Sequence, residues 1–246
     1  MSETDPQPGL SLDDYQRLVE ETWRHEDHGL DNWRDEYATL LRSEFGELLS
    51  QHGLGNILLI SLEQADTQQA KETIVSEDRG TYDGVVEELG DLLWFGFKIA
   101  TESGIDPKQA SSQALSSHAK TGPISVQTFG ELQALVSEHA AAIKVPSKWA
   151  LRHPDLSSSG DYYSLAKQPS YVLMRMIYRM ARALEGGKGD VPPYTASMLE
   201  PVPDLDQSIG DFINTITYTA HDLLGVDIEE VARRNISKLR SRAVNK

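Results

Sequence analysis

Two stretches of this chain are variations on one pattern. EELGDLLWFGFKIATESGIDPKQASSQAL (87–115) and QSIGDFINTITYTAHDLLGVDIEEVARRNI (207–236) each run Gly-Asp, apolar helix, Gly-apolar-Asp, second helix. Gly90-Asp91 in the first corresponds to Gly210-Asp211 in the second. A repeat on this scale constrains the fold more than any local pattern. Each copy has to bury the same apolar face, and the nearest complementary face belongs to the other copy. The expected architecture is a tandem pair of four-helix units packed as an internal pseudo-dimer.

The local patterns agree with a helical reading throughout. Ser11 to Asp27 is a helix with Ser11 as N-cap and Tyr15, Leu18, Val19, Thr22 and Trp23 on its buried side. A break at Gly29 precedes a helix from Asp31 to His52, with the stripe Tyr37, Leu40, Leu41, Phe45, Leu48, Leu49 and Gly53 just past its end. Leu54–Thr73 is expected as one further helix and SEDRG (76–80) as a loop. Tyr82–Ser103 ends at Gly104, and Asp106-Pro107 opens the next helix, which runs to Ala119. The second half gives helices over Ser125–Lys144, Ser170–Glu185, Leu205–Leu224 and Asp227–Ala243, with 145–169 irregular and a Gly/Pro-rich connector over 186–204. Nothing calls for a strand, so the fold class is all-α. Residues 1–10 form a disordered lead, 11–119 the first copy, 120–124 a linker that includes KTGP, and 125–246 the second copy.

The chemistry concentrates in the first copy. Glu88 and Asp91 are three residues apart, so both carboxylates leave one side of their helix. Glu88 also falls between Val85 and Leu92, on the line that should face the interior. On an arbitrary helix such a pair is a solvated edge. Here Glu44 and Glu47 repeat the three-residue spacing inside the apolar stripe of another helix. Glu63 and Asp66 form a third such pair, closer in sequence to Glu88, but on a stretch (QADTQQAK) that is polar all round. Glu44, Glu47, Glu88 and Asp91 are the preferred metal ligands, with Glu63 and Asp66 the alternative to the first pair. Oxygen-only donors suit Mg²⁺ or Mn²⁺. No glutamate is followed by histidine at the third position, which disfavours a di-iron bundle.

These motifs, in this order, resemble the MazG-like all-α nucleoside triphosphate pyrophosphohydrolases. ELGDLLWF resembles that family's ExxD helix, SEFGELLSQHG (43–53) its ExxE helix, LDDYQRLVEETW its first helix, and GVDIEEVARRNISKLRSR (225–242) its last. The resemblance implies Mg²⁺-dependent cleavage of a ribo- or deoxyribonucleoside triphosphate to monophosphate and pyrophosphate. It also implies phosphate contacts from Asn235 and Lys238, and a glutamate, Glu47 by preference, that orients or deprotonates water. The copies depart from the family in opposite ways. The first has Ala114 and Ser117 in place of the last-helix Asn and Lys. The second keeps Asn235 and Lys238 but has Ser208 for the ExxD glutamate and Met176 and Arg179 for the ExxE pair. A single site shared between the copies is expected; otherwise Asn235 and Lys238 only cap or solvate the last helix. A catalytically inactive, nucleotide-binding regulatory pseudoenzyme is the alternative.

Trp23, His25, His28 and Trp33 lie in or beside the loop before the ExxE helix, and a ring there, Trp23 first, could stack on a base; core packing is the competing role. Trp94 is expected in the core. Arg175, Arg179 and Arg182 either meet phosphates or pair with acids left without partners. A net charge of -15 excludes non-specific nucleic-acid binding. No apolar run approaches the length of a membrane span, and MSETDPQPGL does not look like a signal peptide. With no cysteine in the chain, a reducing cytoplasm is the expected setting. The partner is a nucleotide, and the chain is either a homodimer or a monomer completed by its own second copy.

Overall fold

The longest helix of the computed structural model is also its centre. The structure describes residues 9–22, 33–50, 58, 61, 62, 64–119, 122–140, 169–187 and 204–244. Among them nine helices are laid out: α1 (Leu12–Thr22), α2 (Trp33–Ser50), α3 (Gln68–Glu77), α4 (Arg79–Ser103), α5 (Pro107–Ala119), α6 (Phe129–Glu138), α7 (Pro169–Leu184), α8 (Leu205–Tyr218) and α9 (Ile228–Val244). The described residues contain no strand, only one isolated antiparallel bridge between Ser11 and Thr128. No helix among them is long and apolar enough to cross a membrane. The class is all-α.

Helix α4 is buried on every side from Glu88 to Ala100, apart from Asp91, which is half-buried. That follows from its surroundings, since α1, α2, α8 and α9 all pack on it. An all-round apolar helix is stable only when it is enclosed in this way. Gly104 ends it in the left-handed region (φ 68°), its N–H bonding back to Ala100 and Thr101. Helix α8 is the other enclosed element, buried from Ser208 to Tyr218 and capped by Asp204, whose side chain accepts from the Gln207 N–H. Helix α2 packs on α4 and α7, and α7 packs on α8.

The glycines of the two Gly-Asp pairs are used alike. A Cβ on Gly90 would meet Asn235 Cβ at 3.0 Å and the Val231 carbonyl at 3.4 Å, so α9 lies directly on α4. A Cβ on Gly210 would lie 2.1 Å from the Ala110 carbonyl oxygen and 2.8 Å from Ala114 Cβ, so α5 lies directly on α8. Each final helix thus packs on the Gly-Asp helix of the other half of the chain. The two stretches differ by one residue: fourteen steps separate Gly90 from Gly104, fifteen separate Gly210 from Gly225. The extra residue is absorbed by a π-helical turn, Thr219–Leu223, directly after α8.

Three expectations about boundaries are corrected. Leu54–Thr73 is not one continuous helix: Ala65–Thr67 are non-helical, and Thr67 caps α3 by accepting from the Ala70 N–H. SEDRG is not a loop, because α3 runs to Glu77 and α4 begins at Arg79, leaving Asp78 alone as the joint. The Ser125 helix starts at Phe129, since Thr128 and Glu131 form a reciprocal capping box and 122–127 precede it without helix. Removing that cap in Thr128→Ala should cost about 1 kcal/mol. In a chain of this size that is a fall in Tm of about 2–4 °C, read by thermal unfolding. An unchanged Tm would mean that α6 is held entirely by its packing.

Candidate metal centre

Two facing helices supply the acids. α2 carries Glu44, and α4 carries Glu88 and Asp91; one carboxylate oxygen from each lies within 4.8 Å of the others. Glu88 is 8% exposed, as its place between Val85 and Leu92 requires. Glu44 is half-buried, and its carboxyl is pushed up to about 7. Burial is the largest cause, followed by the charges of Asp91, Glu47 and Glu88, with Lys238 acting in the opposite sense.

The third side comes from the far end of the chain. Asn235 Nδ2 donates to Asp91 Oδ1 at 2.5 Å, and Lys238 Nζ donates to Asp91 Oδ2 at 2.5 Å. Both residues sit on α9, which Gly90 lets approach. Asn235 is 3% exposed, and its Oδ1 is buried without a donor. A buried acceptor with no donor is costly. Beside it opens a cavity of ≈ 250 Å³ lined by Glu87, Arg234, Asn235, Ser237 and Lys238.

Of the expected ligands, Glu44, Glu88 and Asp91 come together. Glu47 is on α2, near enough for its charge to raise Glu44, but outside that group of three. Asp66 is exposed in the break before α3, and Glu63 lies outside the described residues. Trp23, His25 and His28 also lie outside them. Trp33 packs edge-on to Tyr37, with ring centroids 5.7 Å apart. Trp94 is buried and donates its ring N–H to Thr22 Oγ1 at 3.1 Å, so it is a core residue.

In the second half the one retained acid is taken up by the chain's own groups, while the matching cavity, ≈ 520 Å³ and lined by Gln113, Ser116, Ser117 and Gln207 among others, stays open. Asp211 is 4% exposed. It accepts from Gln207 Nε2 at 2.9 Å, meets His118 Nε2 at 2.7 Å and faces Arg179 Nη2 at 3.6 Å. Arg179 therefore pairs with an acid, the second of the two roles open to the arginines. Ser208 turns its hydroxyl back to the Asp204 carbonyl. His118 was not anticipated; its only signal is its place directly after Ser117, the counterpart of Lys238.

Three carboxylates from two helices are a hard, oxygen-only donor set. These residues fit Mg²⁺ or Mn²⁺. No protein-family profile matches the chain, and no curated protein or solved structure matches it either.

The raised carboxyl has a consequence in metal-free protein. Between the ordinary pKa of 4.5 and about 7, folded Glu44 keeps a proton that the unfolded chain has released. Its contribution to stability is therefore complete below the ordinary value and is lost as pH climbs through about 7. Thermal melts in chelator from pH 5 to 8 should show Glu44→Gln gaining on wild type as pH rises. Mg²⁺ should reverse that order at pH 8. A difference independent of pH would mean that Glu44 is solvated.

Proposed function

We propose that the chain is a Mg²⁺-dependent nucleoside triphosphate pyrophosphohydrolase with one composite site. The observation that carries this reading is the grip of Asn235 and Lys238, from the second half, on Asp91, from the acidic group of the first. Resemblance to the MazG-like enzymes assigns metal ligation to the acids and phosphate contact to the Asn and Lys. Their meeting at Asp91, across 144 and 147 positions, supports a shared site. Support for two copies that exchange their final helices comes from the reciprocal packing of α9 on α4 and α5 on α8. Arg179 and His118 pair with the one acid left in the second half, which supports a single working centre.

Glu44, Glu88 and Asp91 would hold the ion, with Glu47 beside them. Bound there, Mg²⁺ would neutralise the polyphosphate and make its phosphorus easier to attack. Lys238 would then set its ammonium against a phosphate oxygen, and Asn235 would donate a hydrogen bond to another. Glu47 would accept a proton from the attacking water. The water oxygen bonds to the α-phosphorus, the bond from that phosphorus to the bridging oxygen breaks, and pyrophosphate leaves.

The test is a panel of ribo- and deoxyribonucleoside triphosphates with Mg²⁺, Mn²⁺ or chelator, read as monophosphate and pyrophosphate. Metal-dependent pyrophosphate release is expected and would identify the base and sugar. Orthophosphate release alone would overturn the assigned bond. Metal-dependent nucleotide binding without turnover would make the chain a nucleotide sensor.

A further inference from the structure

Both oxygens of Asp91 are already occupied by the chain. Asn235 holds Oδ1 and Lys238 holds Oδ2, each at 2.5 Å. The ion pair is sheltered, with 18% of the Lys238 side chain and 19% of the Asp91 side chain exposed. The lysine ammonium therefore stands against the group of three carboxylates as a single positive charge. A divalent ion ligated by Asp91 would stand against the Lys238 ammonium at the same carboxylate, and the two positive charges repel. Lys238 is the partner that can leave: its stem is long and flexible, and the ≈ 250 Å³ cavity it lines lies beside it.

We propose that Lys238 is a placeholder cation, displaced from Asp91 when a divalent metal binds and turned into the adjoining cavity, where its charge is free for an anionic ligand. The exchange rests on the metal reading given above and extends it: one lysine serves the acids in the empty state and the phosphate in the loaded state. Asp91 is thus kept neutralised without being permanently closed. The contrast with Asp211 supports this, because that carboxylate is 4% exposed, with an imidazole and an amide both on Oδ1 and a guanidinium 3.6 Å from Oδ2. Arg234 is the internal comparison. It lines the same cavity, but its guanidinium is committed to Glu230 and Asp83 and touches none of the three acids.

Mn²⁺ binding is measured by calorimetry and by electron paramagnetic resonance, without nucleotide, on wild type, Lys238→Met and Arg234→Met. Displacement of a sheltered ion pair predicts that Lys238→Met binds Mn²⁺ about tenfold tighter than wild type or more. Arg234→Met, which removes an equal charge from the same cavity, should stay within about twofold, because a charge that is not displaced acts only through a screened field. In wild type labelled at lysine Cε, the signal missing from Lys238→Met should shift on saturation with Mg²⁺. Melting with and without metal confirms that both variants fold, and Lys238→Met should gain more Tm from Mn²⁺ than wild type does. Equal affinities in the two variants would overturn the exchange while leaving the metal centre standing, as would a stationary Lys238 signal in protein that binds Mg²⁺. No Mn²⁺ binding in any of the three proteins would overturn both readings.

Discussion

On the proposed reading, Glu88→Ala should lower metal-dependent pyrophosphate release by about 10³-fold or more, since the ion that Glu88 would hold and the charge stabilisation it would supply are lost together. Asp91→Ala should do the same, with the added loss of the contacts to Asn235 and Lys238. What separates this from simple unfolding is the sign of the stability change. Glu88 is 8% exposed and lies in a group with Glu44 and Asp91, so in the metal-free protein its carboxylate is largely out of water and beside two others. Removing it should leave the metal-free Tm unchanged or raise it, and should abolish the increase that Mg²⁺ gives wild type. Activity assays and melts with and without metal read both effects on one preparation. A variant that keeps its activity would remove Glu88 from the centre. A variant that loses activity and also melts far below wild type in chelator would make the carboxylate a structural group.

Much of this arrangement could be read from the chain because the relevant signals are local. The spacing of Val85, Leu89, Leu92, Phe95 and Ile99, closed by Gly104, defines α4, and the same spacing places Glu88 on the buried side. Asp106 and Pro107 mark the start of α5, where the Asp106 carboxylate accepts from the Lys108 N–H at 2.8 Å. The paired Gly-Asp motifs pointed to two related helices, and both glycines do lie under another helix. Less legible were features set by tertiary partners. The break at Ala65–Thr67 lies in a polar stretch with no proline or glycine to announce it. Asp78 separates two helices by a single residue, too short an interruption to show in periodicity. His118 reaches Asp211 across 93 positions, and no pattern of spacing carries that pairing. The one-residue offset between the two Gly-Asp stretches is present in the sequence, but only the π turn shows where it is accommodated.

Gly210→Ala should be the most destabilising conservative change in the described fold. The added Cβ would fall 2.1 Å from the Ala110 carbonyl oxygen, 2.6 Å from its carbon and 2.8 Å from Ala114 Cβ. Two of those three atoms are backbone, so no rotamer change relieves the clash, and α5 has to move away from α8 along their whole contact. Overpacking of a core costs about 1–3 kcal/mol where side chains can adjust. With backbone in the way, about 3 kcal/mol or more is expected, well above the ~1 kcal/mol of helix propensity that alanine would add. Gly90→Ala makes the informative contrast. Its Cβ would stop 3.0 Å from Asn235 Cβ and 3.4 Å from the Val231 carbonyl, a far milder approach that a shift of α9 by a few tenths of an ångström relieves. It should cost less stability than Gly210→Ala but more activity, because the atom it presses on belongs to the residue that holds Asp91. Urea unfolding and pyrophosphate release, measured on both variants, test the pair. If Gly210→Ala were as stable as wild type, α5 would not lie on α8, and the crossed packing of the two halves would fail with it. If Gly90→Ala kept full activity while losing stability, Asn235 would be a packing residue and the composite site would lose one of its two links to the second half.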